Sequence, residues 1–186
     1  MRFFWTLLAL ALAWQCLLAS ARAQVDLLPS DALLSAVRGG DLAGTREALV
    51  KGSAVNGRDG EGTPMLVLAA QFGHLEIVNL LIGRGAVVDA VDRYGNTALL
   101  VAASRGDVTL ATDLLERGAN VNRDNKAGET ALMRAARAGS LPMVDLLLRH
   151  GAAVNKRDYT GRSALDYARR ANRGAIIRRL SEMGAR

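Results

Sequence analysis

The sequence predicts an all-α repeat fold, a solenoid of helix-turn-helix units with short β-turn fingers between them. Three observations carry that prediction. Gly40, Gly73, Gly106 and Gly139 recur every 33 residues, and so do Gly52, Gly85, Gly118, Gly151 and Gly184. Paired small residues fall in step with them, at Ala36-Val37, Ala69-Ala70, Ala102-Ala103 and Ala135-Ala136. A Val-Asn or Val-Asp pair does the same, at Val55-Asn56, Val88-Asp89, Val121-Asn122 and Val154-Asn155. Two independent glycine series with one period mark an internal repeat, and a period near 33 marks a stacked array.

The chain opens with a different kind of segment. Met1-Arg2 is followed by an apolar run from Phe3 to Leu18, then by Ala21-Arg22-Ala23 ahead of Gln24. A positive start, an apolar stretch and an A-x-A site are the parts of a secretory signal peptide. Cleavage is expected after Ala23, with Ala19-Ser20-Ala21 as the second choice. An uncleaved anchor is the competing reading, because the run approaches the length that spans a bilayer. No twin-Arg pair occurs in residues 1–23, and the residues before Cys16 do not form a lipoprotein box. Cleavage removes the single cysteine, so the mature chain has neither disulfides nor a thiol nucleophile and must be stable by packing alone.

Within residues 24–186, each unit is built alike. Gly95-Asn96-Thr97 and Gly128-Glu129-Thr130 give a turn and then an N-cap hydroxyl. A short Ala/Leu helix follows, as from Ala131 to Arg137, and the glycine at 139 or its equivalent ends it in a left-handed conformation. A second helix runs from Leu75 to Ile82, with Ile77, Val78 and Leu81 on one face. Arg84-Gly85-Ala86 then breaks the chain before Asp92-Arg93-Tyr94-Gly95.

This pattern resembles the ankyrin repeat, most closely through Gly73-His74-Leu75-Glu76-Ile77-Val78-Asn79-Leu80-Leu81. The resemblance covers five units, at 26–58, 59–91, 92–124, 125–157 and 158–186. It departs from the family where a His normally sits in the first helix, a slot held here by Leu34, Val67, Leu100, Met133 and Asp166. Thr63-Pro64 lies one residue early, so that helix is expected to begin differently. The outer units are worn: Gly44-Thr45 replaces the apolar pair Ile77-Val78, Asn172 stands for the inter-helix glycine, and Ser181 replaces a core Leu. Caps meet water on their outer faces, which accounts for that wear.

No catalytic constellation emerges. His74 falls where the family places a helix-starting His, and His150 lies at a helix end where an imidazole suits the dipole. They lack the i, i+4 spacing of a helical zinc site. Gly60-x-Gly62 is too short for a dinucleotide loop, and no serine sits in a Gly-x-Ser-x-Gly context. Asp59, Asp92 and Asp158 are expected to bond their own turns, and Glu47, Asp113 and Glu116 to face solvent. Nothing calls for a metal or a cofactor, and the expected activity is binding, not catalysis.

Charge is uneven. Of the net +6, none resides in residues 1–155, with 15 basic and 15 acidic residues; residues 156–186 hold 9 basic and 3 acidic ones. Arg169, Arg170, Arg173, Arg178 and Arg179 make that end basic. It is either a solubilising cap or a docking end for an acidic partner or anionic surface. Export argues against nucleic acid as the partner.

The resemblance implies recognition through the finger tips and the exposed side of the first helices, a concave strip. Mapped here, the expected partner-binding residues are Gln71, Phe72, Arg93, Tyr94, Ser104, Arg105, Lys126, Arg137, Tyr159, Arg162 and Arg170. Arg58, Glu61, Thr63, Asn96, Glu129, Arg157 and Thr160 flank them. Three of the four aromatics of residues 24–186, namely Phe72, Tyr94 and Tyr159 but not Tyr167, fall on the strip. Tyr and Arg dominate interface hot spots. Phe72 is the foremost candidate, with Arg105 and Arg137 expected on the equivalent faces of the next two units.

Two functions follow from this surface. One is a monomeric protein-interaction scaffold in the periplasm or outside the cell. The other is an envelope module using its basic end on lipid or polysaccharide, with membrane contact otherwise limited to the leader.

Overall fold

The computed structural model describes residues 29–186; the signal-peptide reading of residues 1–23 lies outside them. Ten helices occur among the described residues, arranged in antiparallel pairs. They are α1 (Pro29–Gly39), α2 (Leu42–Val50), α3 (Met65–Phe72), α4 (Leu75–Gly83), α5 (Ala98–Arg105), α6 (Val108–Glu116), α7 (Ala131–Ala138), α8 (Leu141–Arg149), α9 (Ala164–Arg170) and α10 (Gly174–Glu182). Odd-numbered helices stack on one another as an inner layer, and even-numbered helices form an outer one.

The caps follow from the sequence. The hydroxyls of Thr97, Thr130 and Ser163 accept the amides of Leu100, Met133 and Asp166 at 3.3, 3.4 and 3.3 Å. Helix α3 is the exception: its N-cap position is Pro64, which offers no side-chain cap. That is the altered start expected from the early Thr63-Pro64. The first helices end on left-handed glycines, with φ of 79° at Gly73, 70° at Gly106 and 91° at Gly139. In the last unit Asn172 takes this role at φ 55°, and no other non-glycine among the described residues has a positive φ. Asn is the side chain that tolerates that region best.

The core is aliphatic. Ala69, Ala70, Ala102, Ala103, Ala135 and Ala136 are fully buried in the inner layer, and Ile77, Leu81, Leu110, Leu114, Val144 and Leu147 in the outer one. Alanines let neighbouring helices approach closely, whereas leucines hold them apart. The inner helices accordingly pack more tightly together than the outer ones. An array pinched along one layer bends toward it, so the odd-numbered helices face the concave side.

Three side-chain devices tie the units together. First, residues flanking the inter-helix turns reach back over the preceding unit. His74 Nε2 lies 3.3 Å from the Arg38 carbonyl, Arg105 donates to the Gln71 carbonyl at 2.8 Å, and Arg173 covers Gly139. A Cβ at Gly40 or Gly139 would come within 2.7 Å of these side chains and displace them, and the left-handed φ at both positions itself favours glycine. Second, the Val-Asn pairs form a ladder. Asn122 accepts from the Ala153 amide at 2.7 Å and donates to the Gly151 carbonyl at 3.1 Å. Asn56 and Asn155 do the same to Val87 and Gly85 and to Arg186 and Gly184. Asp89 can only accept, from the Asn120 amide. Third, Asn79 donates to Asp113 at 2.8 Å between α4 and α6, leaving its own Oδ1 buried without a partner. Asp113 is therefore a half-buried inter-unit acceptor, not the solvated carboxylate expected from sequence. Glu47 and Glu116 are exposed as expected.

In the worn first unit, Thr45 is fully buried and its hydroxyl bonds the Asp41 carbonyl at 2.7 Å, which satisfies it in an apolar slot. At the other end Ser181 faces solvent.

Candidate functional site

Among the described residues four fingers project beside the inner helices, at residues 59–62, 92–95, 125–128 and 158–161. Each is closed by one side chain. An oxygen of Asp59, Asp92, Asn125 or Asp158 accepts two amides, two and four residues on, at 2.8–3.0 Å. A carboxylate or amide held this way makes the turn rigid without a disulfide. The expectation that these aspartates serve their own turns holds.

Spacing between the fingers differs along the array. The third finger bonds the second through Lys126 N–H to the Tyr94 carbonyl at 3.0 Å, and the fourth bonds the third through Tyr159 N–H to the Ala127 carbonyl at 3.1 Å. A Cβ on Gly95 or Gly128 would come within 2.8 Å of the next finger's backbone, whereas at Gly62 nothing lies within 4 Å. The first finger thus stands away from the second. Their link is a side-chain pair, Glu61 with Arg93 at 3.1 Å.

The opening forms a groove of about 400 Å³ whose walls include Phe72 and Tyr94, with Leu68 at its base and Arg38, Asp59 and Glu61 at its rim. Phe72 is 50% exposed and stacks on His74 at 5.9 Å between ring centroids; Tyr94 is 56% exposed beneath the Arg93 guanidinium, 4.8 Å away. A second groove of about 390 Å³ continues past Tyr94 to Lys126 and Arg134. Tyr94 is common to both.

Beyond it lies a polar network. Glu129 accepts Arg137 at 2.6 Å and Arg134 at 3.1 Å; Arg134 also donates to Asn96 at 2.6 Å and to Ser104 at 3.3 Å. Tyr167 donates to Asp158 at 2.7 Å, and Arg137 lies 5.3 Å over its ring. Burial alone would raise the Glu129 carboxyl, but the Arg137 and Arg134 charges hold it below its ordinary value. Burial likewise opposes ionisation of Asp158, yet the Arg162 amide, the Tyr167 hydroxyl and Thr160 bring it down to about 2. Burial and the bond to Asp158 push Tyr167 up to about 12.

The expected site residues thus divide by what already holds them. Gln71, Phe72, Tyr94, Lys126, Tyr159 and Arg170 are exposed, and Arg162 is half-buried. Tyr159 is 75% exposed, though its ring edge rests on Gly128. Arg93 and Arg137 are exposed but ion-paired, and the Ser104 hydroxyl serves the Leu100 carbonyl. Arg105 is spent on the end of α3. It is the true counterpart of Phe72, 33 residues on, whereas Arg137 corresponds to Gln71 and Ser104, which corrects the expected register. Thr63, expected on the strip, is buried. Tyr167, which the sequence does not place on the strip, joins Glu129 and Asp158; its position in a first helix is the signal for it.

Among the described residues, no cluster of three or more His, Cys, Asp or Glu side chains is placed to hold a metal ion. No helix there is long and apolar enough to cross a membrane.

Stacked helix pairs with projecting turns and an exposed inner face define a helical-repeat interaction module. The family model described as ankyrin repeats (3 copies) matches residues 33–125 and 101–186, and the chain belongs to that family. Ankyrin repeats are typically interaction modules and not enzymes, which makes protein–protein interaction the general role of this chain. No curated protein sequence matches the chain.

Proposed function

We propose that this is an exported ankyrin-repeat protein that acts as a monomer, in the periplasm or outside the cell. It binds a protein partner through its fingers and first helices. The observation that carries this reading is the half-exposed Phe72 beside the open groove. Half of the Phe72 surface stays in water despite its stacking on His74, and an aromatic anchor in a concave site is the usual centre of an interface. Export rests on the leader, with cleavage after Ala23 leaving Gln24 as the first residue. An intact mass for exported protein that retains residues 1–23 speaks for an anchor instead.

The test is affinity capture from envelope extract with wild-type protein and with Phe72→Ala in parallel. The expected result is a partner retained by the wild type and weakened by about 1–3 kcal/mol in the variant, with melting nearly unchanged. A large loss of stability with unchanged capture makes Phe72 a packing residue and removes this surface.

A second reading places the basic last unit on anionic lipid or polysaccharide. The exposed Arg170 and Arg178, which make no ion pair among the described residues, favour it. Such binding fades with ionic strength, because salt screens exposed charge beyond a Debye length.

A further inference from the structure

Resting on the reading of this face as a protein-binding surface, we infer that its partner presents an extended acidic segment. One apolar side chain of that segment seats between Phe72 and Tyr94, and its carboxylates lie over Lys126, Arg162 and Arg170.

The charge balance of the face argues for this. Its carboxylates are already matched within the chain: Asp59 with Arg38 at 3.2 Å, Glu61 with Arg93, Glu129 with Arg134 and Arg137, and Asp166 with Arg157 at 3.7 Å. Asp92 and Asp158 have no ion pair among the described residues, but both are buried, and their oxygens take local amides together with the Asn96 side chain and the Tyr167 hydroxyl respectively. Lys126, Arg162 and Arg170 make no ion pair among the described residues, so the cations are in surplus and lie toward one end. A partner acid laid there meets an unspent cation, whereas a partner cation meets no carboxylate of the face that is both exposed and unpaired among the described residues. Potentials of opposite sign on facing surfaces raise association rates and reject wrong partners.

The grooves supply the other half. At about 400 Å³ the opening by Phe72 lies at the low end of the roughly 300–1,000 Å³ typical of ligand sites, room for an anchoring side chain rather than a folded element. Shared Tyr94 makes one track from this opening to Lys126. Neighbouring helices sit about 8–10 Å apart, so the distance from Phe72 to Arg170, three units on, is roughly 25–30 Å. An extended chain covers that with about 8–9 residues.

A displayed library of random 12-residue peptides, panned on the exported full chain, tests the inference. Enriched peptides are expected to carry an aromatic or aliphatic residue and at least two carboxylates. Phe72→Ala or Tyr94→Ala should weaken the best of them about tenfold or more at any salt concentration. Combined Lys126→Glu, Arg162→Glu and Arg170→Glu should weaken them similarly in low salt and flatten the salt dependence. Circular dichroism checks that each variant is folded, and having two aromatic variants covers the failure of one. Peptides that need Phe72 or Tyr94 but carry no acids, or ignore the charge reversal, overturn the acidic segment and leave the surface standing. Peptides indifferent to both sets of variants overturn the surface as well. Failure to enrich any peptide overturns the inference.

Discussion

The first two fingers and the last two are built on the same turn and behave differently as neighbours. Finger 158–161 donates a backbone bond to finger 125–128, and the Tyr159 ring rests on Gly128. Between fingers 59–62 and 92–95 a Cβ at the tip glycine, Gly62, would meet nothing within 4 Å, and Glu61 and Arg93 connect the two through flexible side chains. The closed end carries a network from Asn96 through Arg134, Glu129 and Arg137 to Tyr167 and Asp158. The open end carries exposed rings. A repeat array can therefore spend its polar side chains on rigidity in one region and leave an apolar opening in another, while one core runs beneath both.

That shared core gives the largest expected effect. Leu99 lies under the open end and Leu132 under the closed one, and both are buried. Leu→Ala at either should cost about 2–5 kcal/mol in urea unfolding, in a single transition, since units bury their apolar faces against each other. Two separated transitions would show that the ends are independent bodies and break the comparison.

The tip glycines separate the ends. Gly62 and Gly128 both sit at φ 81°, so alanine at either should cost about 1–2 kcal/mol for the left-handed backbone. At Gly128 the new Cβ also runs into the Tyr159 backbone, so Gly128→Ala should cost about 1–3 kcal/mol more than Gly62→Ala. Equal losses in melting experiments mean that the fourth finger yields freely and is not closed.

Acid titration addresses the network. With its folded value at about 2 and its ordinary value at 3.8, Asp158 stabilises the fold above pH 3.8 and loses that contribution as pH falls toward 2. Asp158→Asn copies the Asn125 turn and should reduce the slope of stability against pH in that window. An unchanged slope places the acid sensitivity elsewhere.

The smallest effect concerns Asp89, the one carboxylate in the Asn ladder. Asp89→Asn supplies the missing donor for the Gly118 carbonyl and should raise stability by about 0.5–1.5 kcal/mol, the usual net value of a hydrogen bond. A loss on thermal melting shows that the charge at Asp89 has another use.

What was legible and what was not divides by the range of the interaction. The N-cap threonines, the helix-ending glycines and Asn172, and the Asp-closed turns are set by residues within a few positions of one another, and the period of 33 repeats those local signals along the chain. Sequence by itself determined the all-α solenoid, the core faces, and the neutral body with its basic end. It also picked out the exposed aromatics, because Phe72 and Tyr94 break an otherwise aliphatic pattern. Side chains that act across units lay beyond it. Arg105 donates to the Gln71 carbonyl and Asp113 accepts from Asn79, each across 34 residues, and no local pattern announces either pairing. The spacing of the fingers was decided the same way: each Gly-containing turn has the same local chemistry, and only stacking leaves the tip at Gly62 open and those at Gly95 and Gly128 covered. Local bonds can be read from local sequence, but which cations are spent and which remain depends on distances between units, and only the tertiary structure sets those.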